Sequence, residues 1–426
     1  MKHFMNIILM AIPLFLLLIV IELIVDYYRG THYYRFNDFI SSINIGIFSR
    51  ITGILKSATA FSVYYLLYQH YALFKLDPSI SVWIFAFVGY DVAYYWSHRL
   101  NHRISVMWGS HVVHHSGEEY NLTTALRQSG SISLFGWAVY LPLALVGVSP
   151  EMALACGSLN LIYQFWVHTR HINKMPNWFE TIFVTPSHHR VHHALNRDYI
   201  DKNYAGVFIL WDKIFNSFQA EKADVDIVYG VSHQLKSWDP VWANLQVYCN
   251  LWLDAFHTKH WRDKFLVWFK PPGWRPADVT QSHPRKWVTT KTVKKYDVEI
   301  TGKVKLYLLT QFIILLVLTV LFLIASPTLS VTTNVMLCLV ATINLWGLST
   351  IQERKKWAKL VECFRLFVTS SAIVFMVDNG DKTIAIVILS MFVVISLLTY
   401  YFSTQSKGND NKKRYKPMSS LGDEKI

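Results

Sequence analysis

Between Tyr90 and His115 a strongly apolar segment runs directly into five histidines, YDVAYYWSHRLNHRISVMWGSHVVHH. His98 and His102 are four apart, and His111, His114 and His115 form an H-x-x-H-H group. Residues three and four apart share one face of a helix, so each group presents its imidazoles in one direction. A second H-x-x-H-H group, His189, His192 and His193, follows about eighty residues later in SHHRVHH. Neutral imidazole is a good ligand for iron, zinc and copper. Eight clustered copies are too many for one four-coordinate ion, and two ions sharing the set is the simplest reading.

At 52% hydrophobic residues, 16% charged and a mean hydropathy of +0.25, the chain is too apolar for an ordinary soluble protein. Its long apolar runs predict an all-α integral membrane protein, a helical transmembrane bundle. The net charge of +13 does not indicate nucleic acid, because Lys and Arg gather between the apolar runs, where the positive-inside rule puts them. The four cysteines, Cys156, Cys249, Cys338 and Cys363, are scattered, so they read as small apolar residues and not as a disulfide frame.

In chain order, residues 1–78 are expected to be N-terminal anchor spans. Met5 to Val25 is one span, followed by Arg29 and Arg35 on the cytoplasmic side. Ile43 to Leu73, interrupted by Arg50 and Lys56, is either a second span or a bent hairpin. Residues 79–300 are expected to form the histidine-bearing domain, in which Ile80 to Ser97 delivers His98 to the cytoplasmic boundary. Ser131 to Val148 and Glu151 to Val167 make a helical hairpin ending at His168, and a polar, aromatic, basic cytoplasmic cap runs from there to about Val298. Residues 301–405 carry four more apolar runs, separated by loops of alternating charge that put the same side in the cytoplasm, and 406–426 is a disordered basic tail. The expected location is the endoplasmic reticulum in a eukaryote or the inner membrane in a bacterium.

Several further residues are candidates around the ligands. His168 ends a span and is a candidate ninth ligand. Asp91, at helical spacing from His98 and His102, is costly in an apolar span unless paired, so it is expected to accept from a metal-bound histidine or to bond a neighbouring helix. Glu118 shares a face with His114 and His115, either near the ligands or exposed. His188, Asn203 and His171 are second-line candidates, whereas His233, His257, His260 and His283 have no motif context. The nitrogen-only set, without H-E-x-x-H, disfavours iron-sulfur and zinc-protease chemistry; it suits two irons that activate dioxygen, with zinc open as an alternative.

These residues, in this order and membrane setting, resemble the fatty acid hydroxylase and sterol desaturase superfamily of membrane di-iron oxygenases, over about Ser79 to Phe218. Within it, WSHRLNH, HHSGEEYNLTTALRQS, QFWVHT, TPSHHRVHH and NRDYIDKNYAGVFILWDKIFNSF are most similar to the alkylglycerol monooxygenase family, as is KPPGWRP. The resemblance implies hydroxylation of the ether-adjacent carbon of an alkylglycerol, giving a fatty aldehyde and a glycerol, with tetrahydrobiopterin as reductant. Where that family carries a glutamate after the second histidine of the first box, this chain has Arg103, which has no acceptor for a pterin N–H. Arg103 therefore leaves tetrahydrobiopterin and an acidic electron-transfer protein as alternative donors. Oxidation of a sterol, carotenoid or fatty acyl chain at the same site is the runner-up. A non-catalytic haem- or metal-binding membrane protein would want its ligands near the bilayer midplane, not at span ends.

Overall fold

A computed structural model describes residues 2–131, 136–377 and 382–404. Twelve of its helices matter here: α1 (Lys2–Arg29), α2 (Phe36–Tyr71), α3 (Ile80–Arg103), α4 (Ser105–His115), α5 (Pro150–Trp166), α6 (Pro186–His192), α7 (Pro240–His257), α8 (Trp261–Phe269), α9 (Gly302–Ala325), α10 (Val331–Gln352), α11 (Ala358–Met376) and α12 (Lys382–Thr404). Strand-like pairing is confined, among the described residues, to the isolated bridges Phe183–Phe208 and Ala194–Tyr229. Among the described residues, four stretches are long and apolar enough to cross a bilayer alone: Met10–Arg29, Gly302–Thr328, Val331–Gln352 and Lys382–Thr404. The protein is an all-helical integral membrane protein.

Of the two readings of Ile43 to Leu73, the bent hairpin is not seen, because α2 runs unbroken to Tyr71. The first arm of the expected hairpin, Ser131 to Val148, is different. Residues 132–135 and the tail at 406–426 lie outside the described residues, and beyond Gly136 the arm is only a 3-10 turn, Gly136–Tyr140, and a short helix, Leu141–Val146. Pro142 fits only the first turn of that helix, and Gly147 ends it at φ 106°, where a side chain would be strained. Its Leu143 and Ala144 pack with Tyr64 of α2 and Ala86 of α3, filling a gap that needs no spanning helix.

The core is organised around α2. Ile40, Ile43, Ile47 and Ile51, one face at three- and four-residue spacing, pack against Leu308 and Leu315 of α9 and Leu345 and Leu348 of α10. The C-terminal helices therefore share a core with the residues that carry the histidines. Inside this bundle Arg365 is buried and donates from Nη1 to Asn344 Oδ1 at 2.8 Å, from Nη2 to Gln311 Oε1 at 2.8 Å and from Nε to Glu362 Oε2 at 2.8 Å. Tyr307 donates to the same carboxylate. A buried charge is tolerated here because its donors are nearly all matched.

Removing one partner of this set should leave the other charge buried and unpaired. Arg365→Met alone is expected to destabilise the detergent-solubilised protein by about 3–5 kcal/mol, and Arg365→Met with Glu362→Leu to recover most of that loss, read from thermal melts.

Candidate metal centre

The nine candidate histidines converge at one end of α3, α4, α5 and α6. His98, His102, His111, His115 and His192 form one group, and His114, His168, His189 and His193 form another; within each, one ring nitrogen per residue lies within 4.8 Å of the others. The helical spacing explains the division. On α4 the i, i+4 pair His111 and His115 joins the first group and His114 the second; on α6 the pair His189 and His193 joins the second group, and His192 the first.

Four imidazoles are oriented by backbone carbonyls. Nδ1 of His98 donates to Tyr204 O at 2.7 Å, that of His192 to Lys202 O at 2.9 Å, that of His114 to Arg127 O at 3.1 Å and that of His168 to Gln164 O at 2.8 Å. A carbonyl only accepts, so these nitrogens carry the protons and each Nε2 is a bare lone pair. The Nε2 atoms of His114 and His168 then face each other at 3.2 Å with no proton to share. His189 Nε2 lies 2.9 Å from that of His168 and 3.1 Å from that of His193, and His111 Nε2 lies 2.8 and 3.0 Å from those of His98 and His115. Lone pairs about 3 Å apart repel unless a cation sits among them, and this spacing suits neighbouring ligands with metal–nitrogen bonds of roughly 2 Å. Nε2 of His102 and of His192 is buried without a protein partner, as a ligand atom would be. The donor set fits a pair of metal ions.

Burial keeps the rings neutral, pushing His114 down to about 4 and His192 down to about 3. Neutral imidazole is the metal-binding form.

Two of the five rings in the first group are held by one loop, residues 201–204, which also borders a third. Lys202 and Tyr204 supply their carbonyls, and Asp201 Oδ1 lies 3.9 Å from His102 Nδ1. Two left-handed residues, Asp201 at φ 60° and Asn203 at φ 55°, turn those acceptors toward the same side. Asn203 locks the turn, donating to His188 O at 3.0 Å and Gln219 O at 2.7 Å, while Asp212 accepts from Tyr204 N and Ala205 N at 2.8 Å each. Asn203 thus acts on the rings through the carbonyls on either side of it.

The other candidates beside the ligands are placed differently. Asp91 accepts from Val207 N, Phe208 N, Trp211 Nε1 and Asn160 Nδ2 at 2.6–3.0 Å, tying α3 to a loop and to α5 and not to a histidine. Of the two roles expected of it, the bond to a neighbouring helix is the one it makes, and backbone carbonyls hold the rings instead. Glu118 accepts from Gln234 Nε2 at 2.8 Å and Tyr296 N at 2.5 Å, and burial raises its carboxyl above the usual range. His188 faces Thr185 Oγ1 at 3.3 Å, pushed down to about 4 by burial, and meets the site only through its carbonyl. Arg103 is not a free surface cation, since its Nη1 lies 2.5 Å from Asp201. Sequence reasoning missed Arg127, whose carbonyl holds His114 while its guanidinium donates to Val113 O at 2.9 Å and Ser116 Oγ at 3.0 Å, at the negative C-terminal end of α4.

An apolar cavity of about 110 Å³ runs between α1, α2, α5 and α9 to this centre, lined by Ile12, Phe15, Ile47, Leu161 and Leu316 and bounded by Gln164 and His168. Arg50 also lines it.

Membrane helices around a histidine-rich centre that an apolar cavity reaches define a class of lipid-oxidising enzymes, and the Fatty acid hydroxylase family model matches residues 83–217. The Alkylglycerol monooxygenase of Homo sapiens is 39% identical over 312 residues, 72% of this chain and 68% of that protein. Those of Xenopus tropicalis and Danio rerio are each 34% identical, over 82% and 83% of this chain and 78% and 79% of theirs. The chain belongs to the alkylglycerol monooxygenase family. It is a membrane lipid monooxygenase, an oxidoreductase. No solved structure matches it.

Two outcomes follow. Asn203→Ala, which loses the side-chain bonds and strains the turn, should reduce the first group's metal while the second keeps its own, so metal content falls from two ions toward one. The depressed imidazoles also make chelator-treated protein acid-sensitive. The unfolded chain binds protons that folded His114 refuses, so stability is full above about 6.5 and is lost as pH falls toward about 4, which melts across that range will read.

Proposed function

We propose that this protein is a di-iron alkylglycerol monooxygenase with its active site at the cytoplasmic face. The observation that carries the reading is that His168 belongs both to the four-histidine group and to the wall of the apolar cavity. An alkyl chain in that cavity would bring its ether end to the metal centre, while a polar head group stays among Gln128, Gln164 and Arg50. Two irons, when bound, supply dioxygen activation. The substrate's ether-adjacent C–H becomes C–OH with one oxygen atom, and the other leaves as water with two electrons and two protons from the donor. The hemiacetal then breaks to a fatty aldehyde and a glycerol.

The chain's residues position these parties. The carbonyls of Lys202, Tyr204, Arg127 and Gln164 hold four rings against rotation, so ligand geometry is set before the ions bind. Leu161, Phe165 and Ile47 keep the approach dry. Tetrahydrobiopterin is favoured as the donor over an acidic electron-transfer protein. The acceptor that Arg103 lacks is present beside it, in the Asp201 carboxylate. A protein carrier docked by charge would show activity that falls with salt, whereas a small pterin would not.

Purified protein with its iron content measured should release fatty aldehyde from an alkylglycerol. His114→Ala should lose both iron and turnover, and His260→Ala neither. Leu161→Trp should keep both irons yet lower turnover of long-chain substrates at least ten-fold. Two irons with no aldehyde from any alkylglycerol would sink the substrate assignment.

A further inference from the structure

The segment after the metal ligands, read from sequence as a polar cap, contains a helix pair with its polarity inverted. The exposed side of α7 carries Trp242, Leu245, Trp252, Leu253 and Phe256, a single stripe at helical spacing, with Trp252 65% and Phe256 69% exposed. After only Thr258, Lys259 and His260, α8 continues it with Trp261, Phe265 and Phe269, four apart and 56–74% exposed. The side of α7 that faces the protein holds the charge instead. Asp254 is buried there and accepts from Arg275 Nη2 and Arg285 Nη2 at 2.8 Å each. A surface of this size, rich in Trp and Phe and with its ion pairs inward, does not face water.

We propose that α7 and α8 lie in the plane of the bilayer, with the aromatic stripe in the acyl region of the leaflet nearest the metal centre and a basic rim on anionic head groups. Continuity with the membrane surface argues for lipid as the occupant. The helix α7 packs along α2 and along α10, itself apolar enough to span. Charge argues for the same leaflet, because Lys259, Arg262 and Lys270 are exposed beside the stripe. Neither helix is apolar all round, which distinguishes an in-plane pair from two short spans.

The placement matters for the centre because α4 rests on this pair. Gly109 admits the Tyr248 ring so closely that an added Cβ would meet it at 2.7 Å. The Lys270 carbonyl, ending α8, accepts from both Ser105 N at 3.0 Å and Ser105 Oγ at 2.8 Å, at the joint between His102 and His111. The depth of the pair in the leaflet therefore fixes the depth of α4 and its three histidines. This inference does not rest on the proposed reaction.

Cys249 is exposed on α7 between Leu245 and Trp252, so the native chain carries its own depth probe; Cys363 is also exposed, and Cys156 and Cys338 are buried. In the Cys363→Ser variant, reconstituted in vesicles containing phosphatidylglycerol, a nitroxide on Cys249 should be relaxed several-fold more by dissolved oxygen than by a water-soluble nickel chelate. A label on Lys222→Cys should show the reverse. Because a label could itself disturb the helix, unlabelled Cys249 is also challenged with a water-soluble maleimide, where a rate many-fold below that of urea-unfolded protein is expected. Relaxation of the Cys249 label by nickel as strongly as at position 222, or a maleimide rate near the unfolded one, would overturn the proposal.

Discussion

Unpaired imidazole nitrogens aimed at two points are the constraint the rest of this molecule answers. Each ring whose Nδ1 is committed to a carbonyl has nothing to offer at Nε2 but a lone pair, and His114 and His168 oppose theirs at 3.2 Å. Such an arrangement is favourable only around a bound cation, and the surrounding structure holds the rings in the orientation that would receive one. The restraints come from every side. Arg127 binds the end of α4, Asp91 joins α3 to α5, and Asp212 with Asn203 fixes the loop between α6 and the segment that follows.

The histidines were legible in the sequence because their spacing is a local property: i, i+3 and i+4 state a helix face without knowledge of the fold. His168 lacked a motif and could be placed only by its position at the end of an apolar run. What holds the rings could not be read. A carbonyl acceptor has no sequence signature, since every residue carries one, so Lys202, Tyr204, Arg127 and Gln164 are indistinguishable from their neighbours until the chain is folded. Asp91 and Glu118 drew attention for the opposite reason, as conspicuous side chains at the right spacing, yet both serve backbone amides.

The fold was legible to a similar depth. Apolar length located the four helices that are long and apolar enough to cross a bilayer, and α2 runs without the bend that one reading of its sequence allowed. The expected hairpin arm before Val148 failed because hydropathy reports burial and not path: Leu143 and Ala144 are apolar because they pack under α2 and α3. The same ambiguity hid the aromatic stripe of α7 and α8, whose charged residues lower the average of a segment that is apolar on one side only.

The division of the motifs between the groups bears on which ion could meet substrate. Because α4 and α6 each contribute to both groups, neither group can form without the other helix in place, and a displacement of either helix disturbs both points at once. The contributions are nonetheless unequal. The first group draws pairs from α3 and α4 and one ring from α6; the second draws a pair from α6, one ring from α4 and the lone His168. With one ligand fewer, the second group would leave more room at an ion it held. That is also the group whose His168 borders the apolar cavity, so the less saturated point and the approach for an alkyl chain lie on the same side of the centre.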